Sequence, residues 1–151
     1  MAISAKEIKN EYPLPAYNYR VSIGVDTLAF SEVNGLSIEY EPVTYRHGLS
    51  FFEGDVHLPG KRQPVNVRLS RGIKLGGDYL FSWINSIRLT SVEKEDVTID
   101  LCDEGGNPVI SWVIRNAFPT KLDAPGFDAN TNEVAIETLE LRGSEITITY
   151  H

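Results

Sequence analysis

The stretch from Ser111 to Leu141 constrains this chain more than any other. The strand that opens it, Val109 to Phe118, carries Ile110, Trp112 and Ile114 in one phase and Val113 and Ala117 in the other. Both faces therefore require burial, which places the strand at the centre of a sheet. Phe118-Pro119 marks its end, because proline brings no amide donor to a ladder. A turn-rich crossing follows, through Asp123-Ala124-Pro125-Gly126 and Asp128 to Asn132. The next strand, Val134 to Leu141, begins with apolar residues at even positions (Val134, Ile136) and ends with them at odd ones (Leu139, Leu141). That change of phase predicts a bulge near Thr138.

Shorter alternations flank this unit. Tyr17, Tyr19, Val21, Ile23 and Val25 alternate with polar residues or glycine and predict a half-buried strand. Asp26-Thr27 turns into Leu28 to Val33, and Asn34-Gly35, two residues that tolerate positive φ, predicts a hairpin. Its returning strand, Leu36 to about Tyr45, places Leu36, Ile38 and Tyr40 opposite Glu39 and Glu41. Val65, Val67 and Leu69 form another strand, and Val97, Ile99 and Leu101 one more, which Glu104-Gly105-Gly106-Asn107 turns back into the central strand. The last strand sets Ile146, Ile148 and Tyr150 against Glu145, Thr147 and Thr149. Asp78 is placed to cap a helix whose Leu80, Phe81, Trp83, Ile84 and Ile87 line one side. A lone helix on a sheet buries one face, so this stripe is core and not a cofactor box. The sum is a mainly β chain: a two-sheet β-sandwich or small barrel of seven to eight strands, hairpins predominating, closed by one packed α-helix.

At 151 residues the chain fits one domain, 1–151, that buries a core without metals or disulfides. Two segments stand outside the periodic pattern. Residues 1–15 hold Lys6, Glu7, Lys9 and Glu11 around Ile3 and Ile8 and close in Tyr12-Pro13-Leu14-Pro15, the composition of a flexible N-terminal arm. From His47 to Gln63 the alternation disappears, while Gly48, Gly54, Pro59 and Gly60 surround Phe51, Phe52, Val56 and Leu58. A connection of this length without a pattern of its own tends to be functional, and adjacent phenylalanines in a solvated loop expect a partner. Residues 47–63 are thus an extended interaction loop, with Phe51, Phe52, Val56 and Leu58 as candidates for a subunit interface. Tyr12 and Leu14 of the arm are a second set.

Chemistry is harder to find. The net charge of −7 argues against a nucleic-acid surface, which needs a basic stripe. No apolar run approaches a membrane span, and the first ten residues alternate charges where a signal peptide has an apolar core. Synthesis and folding in the cytoplasm, without a membrane anchor, is the expectation. One cysteine, Cys102, excludes an intrachain disulfide, and its place in a strand makes it a structural thiol. His47 and His57 could reach a metal only if Glu53 or Asp55 folded back. Asp128 to Asn132 starts like a calcium loop but has Glu133 where a glycine belongs and Leu139 where a glutamate belongs; Asx turns account for it better. Gly72, Gly76 and Gly77 lack phosphate-loop spacing, and no nucleophile elbow occurs. Serines, histidines and aspartates are scattered without a triad signature. No catalytic, cofactor or metal residue is assigned, and the chain is expected not to be an enzyme.

Several blocks together resemble a known family. Tyr19 to Val21, Phe30-Ser31-Glu32-Val33-Asn34-Gly35-Leu36, Glu39-Tyr40 and Tyr45-Arg46 are similar to the opening of the contractile-phage tail-tube family. Leu58-Pro59-Gly60, Leu69-Ser70-Arg71-Gly72 before a Trp-bearing helix, Leu101 to Asn107, Asn116 to Leu122 and Asn132 to Leu141 continue in the family's order. The length resembles inner-tube subunits of extracellular contractile injection systems. Phe118 stands where the family often carries a bulkier tryptophan-type residue.

The resemblance implies a structural subunit without catalytic residues or cofactors that forms a homohexameric ring. Rings stack into a hollow tube inside a contractile sheath, on a baseplate with a spike, and tube paralogues share the particle. The lumen passes a protein toxin or DNA. Assembly occurs in the cytoplasm, and the product is a released phage-tail-like particle or virion. Asn66, Arg68 and Ser70, or else Glu145, Thr147 and Thr149, supply the lumen wall. The alternatives are the exported ring protein of type VI secretion, a solitary ligand-binding β-sandwich, and an unsuspected hydrolase.

Overall fold

A computed structural model describes residues 13–87 and 91–151. Among these residues ten strands and two helices follow in the order β1 (Tyr19–Ile23), β2 (Asp26–Leu28), β3 (Glu32–Asn34), β4 (Tyr40–Tyr45), α1 (Ser50–Glu53), β5 (Val56–Arg62), β6 (Val65–Gly72), α2 (Tyr79–Asn85), β7 (Glu95–Cys102), β8 (Pro108–Asp123), β9 (Ile136–Gly143) and β10 (Glu145–Tyr150). The two-sheet architecture with a packed helix is as expected. The strand count rises to ten because β2 and β3 have only three residues each and β5 lies inside the 47–63 segment.

β8 belongs to both sheets. Its first half pairs with β7 on one side and β10 on the other, and its second half pairs with β9. One sheet therefore runs β2-β1-β7-β8-β10 and the other β8-β9-β6-β3, all antiparallel. Three register shifts each insert one extra residue into β8: Val109 opposite Leu101/Cys102, one between Ile114 and Ala117 opposite Glu95/Val97, and Thr120 opposite Leu141/Glu140. Bulges bend a strand and increase its twist, which lets β8 turn from one sheet into the other. The second bulge also explains the conflicting phases of Ile114 and Ala117. They lie three apart yet both are fully buried, because Asn116 between them takes a left-handed conformation (φ 52°) and resets the alternation. Only one phase joins the apolar core; on the other Ser111 is buried and Val113 half-buried, so both faces are covered but only one is packed by hydrophobic side chains. Phe118-Pro119 does not end the strand either. Beyond Ala117 β8 pairs with β9 alone, and a one-sided position accommodates a proline.

The predicted bulge near Thr138 is absent: β9 pairs with β6 in unbroken register from Ile136 to Gly143. Leu139 and Leu141 are buried, whereas Val134 precedes the strand and Ile136 points outward. The Asn34-Gly35 hairpin is also corrected. β3 pairs with β6, not with β4, and Gly35 (φ 93°) passes against the Asn66 carbonyl where a Cβ has no room. The turn expected at Asp26-Thr27 lies instead at Gly24-Val25, since Asp26 and Thr27 are in β2 and pair with Ile23 and Ser22; the turn at Asp103 to Asn107 does join β7 to β8.

The core lies between the sheets. Val21, Ile23, Val97, Ile99, Ile114 and Ile146 meet Val65, Val67, Leu69, Leu139 and Leu141. α2 contributes Leu80 and Trp83, whose indole N–H donates to the Glu93 carbonyl at 3.0 Å. Phe81 is exposed, contrary to the predicted stripe, and Asp78 stands at the N-cap without a side-chain cap bond. Tyr17 and Val25 lie outside β1 and are exposed. Cys102 is buried, as its strand position implied.

Candidate functional site

β4 and β5 form a two-stranded antiparallel ribbon that no other strand among the described residues joins. Val43 stands opposite Leu58 and Tyr45 opposite Val56. β4 falls within the strand expected to end near Tyr45, but its partner β5 was hidden in the sequence because both faces of the ribbon are solvated. Tyr40, Val43, Tyr45, Val56 and Leu58 are all exposed, so no alternation of burial shaped the residue pattern. The segment 47–63 is thus not a structureless loop but α1 at the tip and β5 returning from it.

The tip satisfies its polar groups locally. The backbone N–H of His47 donates to Ser50 Oγ at 2.8 Å, and Leu49 N–H donates to His47 Nδ1 at 3.2 Å. His47 Nε2 lies 3.4 Å from Glu53, and Arg46 pairs with Asp55 at 3.0 Å. Gly54, with φ 81°, ends α1. What remains for contact is apolar: Phe51 and Phe52 are 76% and 77% exposed, their rings 4.0 Å apart and tilted by 39°. An isolated two-stranded hairpin is marginal in water, and apolar surface displayed on a supported tip marks a protein-contact site.

The structure brings Phe51, Phe52, Val56 and Leu58 onto this one projection. Leu14 is not part of it. That residue lines a cavity of about 360 Å³ with Ala16, Tyr19, Val33, Leu36 and Trp112. Tyr12, with residues 1–12 of the arm, lies outside the described residues. The two candidate wall faces both point outward and are polar. On one, Arg68 pairs with Glu140 at 3.5 Å and Ser70 Oγ lies 3.1 Å from Thr138 Oγ1, while Arg71 and Glu137, paired at 2.6 Å, have the opposite strand phase and are mostly buried. The other carries Glu145, Thr147 and Thr149, all exposed, opposite Arg115, Val113 and Ser111.

One polar cluster escaped sequence reasoning. Asp100, 8% exposed, accepts a hydrogen bond from Ser111 Oγ and one from Arg20 Nη2 at 3.2 Å, and Ser111 Oγ lies 2.7 Å from His151 Nε2. A serine, a histidine and an aspartate meet here, but in the wrong order. Nucleophilic catalysis needs the imidazole between hydroxyl and carboxylate, whereas Ser111 stands between the other two and is itself buried. His57 Nδ1 faces Thr44, and among the described residues no three His, Cys, Asp or Glu side chains converge as metal ligands. Asp128 forms the expected Asx turn, accepting Asn130 N–H at 2.9 Å. No helix among the described residues is long and apolar enough to cross a membrane.

The described residues thus form a two-sheet β domain with a separate exposed apolar ribbon. The chain belongs to the T4-like virus tail tube protein gp19 family, which it matches over residues 15–147. It is a structural tail tube subunit of the contractile injection system type. It is 37% identical to a chain of the PVC sheath-tube complex of an extracellular contractile injection system in the extended state, over 99% of this chain and 100% of that one, with a TM-score of 0.92. The anti-feeding prophage tube terminating cap is 38% identical over 100% of both chains, with a TM-score of 0.89. Hcp1 from Flavobacterium johnsoniae shares the fold alone, at 14% identity over 89% of this chain and 97% of its own, with a TM-score of 0.51. The type VI alternative is accordingly not favoured. No curated protein sequence matches the chain.

Proposed function

We propose that this chain forms hexameric rings that stack into the hollow inner tube of a contractile particle. A sheath encloses the tube, a baseplate and spike start it, and sheath contraction drives it out. The subunit acts without a catalytic group, is assembled in the cytoplasm and leaves in the released particle. The observation that carries this reading is the ribbon of β4 and β5, whose aromatic and aliphatic side chains are exposed and have no cover among the described residues. A ring needs heterologous contacts that close, and a projecting apolar element inserted into a neighbour supplies buried anchors for them. The match to chains in a sheath-tube complex and in a tube terminating cap supports the same assembly.

Sedimentation and negative-stain imaging of Phe51→Asp test it. The wild type forms six-fold rings and tubes, and the variant stays a folded single subunit. Normal tubes from Phe51→Asp would refute the role of the ribbon, and a wild type that remains single at high concentration, also when offered its spike or baseplate proteins, would refute the tube reading as a whole.

A further inference from the structure

Among the described residues the ribbon shares no strand pairing with the body, so side-chain contacts must fix its direction. On the β5 side it joins β6 through Gln63 and Pro64 alone. At that junction Arg62, the last residue of β5, reaches across to β10. Its Nη2 donates to the Ile146 carbonyl at 2.6 Å, and its Nη1 lies 3.7 Å from Glu145. Ile146 is a core residue, 1% exposed, so the anchor point is rigid. Among the described residues β10 pairs only with β8, which leaves the carbonyl of Ile146 on its other edge to a side chain. Gln63 completes the junction, its N–H donating to the Glu39 carbonyl at 2.7 Å and tying the two strands together at their root.

We propose that Arg62 is the positioning residue that aims the ribbon, holding it in the orientation in which its apolar surface meets the next copy of this chain. The inference rests on the tube-subunit reading. A planar guanidinium, whose N–H donors lie in a fixed fork, defines a direction that a single-point ammonium does not. Holding an element in its bound direction beforehand removes an ordering cost from association, so the effect belongs to assembly more than to stability of the body.

The test compares wild type with Arg62→Met, which keeps the aliphatic stem, and Arg62→Lys, which keeps the charge. Thermal unfolding and hydrogen exchange of the ribbon amides are measured on unassembled protein, and the concentration for half-assembly by sedimentation. In Arg62→Met the ribbon amides exchange faster than in wild type while amides of β6 to β9 do not. Half-assembly shifts up by about tenfold, the factor expected from loss of one charge-assisted hydrogen bond. Arg62→Lys falls between the two. Native ribbon exchange together with native assembly in Arg62→Met overturns the proposal, and so does a loss of assembly that merely follows a lowered melting temperature of the whole domain. A wild type that does not assemble at all removes the tube reading instead, and the exchange comparison then still decides whether Arg62 holds the ribbon.

Discussion

The carboxylate of Asp96 accepts the backbone N–H of Asn116 at 3.1 Å, at the only described non-glycine residue with a positive φ. Its second oxygen takes Arg115 Nη1 at 2.9 Å. Asp96 thus clamps the bulge at which β8 leaves one sheet for the other. Opposite the same crease Ser144 N–H donates to the Arg115 carbonyl at 2.9 Å, joining β9 and β10 around one corner.

This clamp gives the domain an acid-sensitive contribution. The Asn116 N–H first, and the Arg115 guanidinium second, hold the Asp96 carboxyl below the usual carboxylate range. Its folded pKa is therefore the lower one. The contribution is full above the unfolded value of about 4 and is lost as pH falls through the folded value. Asp96→Ala should cost about 1 kcal/mol at neutral pH, a figure discounted for an exposed pair. Urea denaturation at a series of pH values checks it: the two stabilities converge below pH about 4, and parallel profiles would contradict the assignment.

Replacing Asn116 separates conformation from contact. Glycine takes left-handed φ freely, so Asn116→Gly should stay within about 0.5 kcal/mol of wild type, while a β-branched valine should cost about 2 kcal/mol. Equal stabilities for the two variants in chemical denaturation would remove the claim that the backbone at this bulge is demanding.

Gly143 is buried at the end of β9, and a Cβ there would run into the side chain of Ile114. Ile114 is fully buried and cannot yield cheaply. Gly143→Ala should destabilise the domain by about 1–3 kcal/mol, the range for overpacking, measured as a drop in the denaturation midpoint. An unchanged midpoint would mean that the corner is looser than its contacts indicate.

Two neighbours on α2 should behave oppositely. Leu80 is fully buried and Phe81 is 59% exposed. Leu80→Ala should cost about 2–5 kcal/mol, and Phe81→Ala about 0.5 kcal/mol or less, as for surface substitutions generally. Comparable losses in thermal unfolding would show that α2 sits differently on the sheets.

Legibility in the sequence tracked one-sided burial. Val65, Val67 and Leu69 face the core and Asn66 and Arg68 face away, so simple alternation revealed β6. The phase change at Asn116 was visible as a conflict between Ile114 and Ala117, but nothing local said that one left-handed residue resolves it. Asn34-Gly35 misled because a turn signal reports local φ and not the partner, which for β3 is β6, more than thirty residues away. Phe51, Phe52, Val56 and Leu58 stood out by composition alone, since a ribbon exposed on both faces leaves no periodic trace. Arg62 and the Asp100-Ser111-His151 cluster depend on contacts across distant strands.

Because β8 runs through both sheets, with β9 and β10 following it around the same corner, neither layer can slip past the other while that strand stays intact. Shear on such a panel is carried along covalent backbone and not across greasy side-chain contacts. For a tail tube subunit, mechanical stiffness is thereby written into the path of one strand.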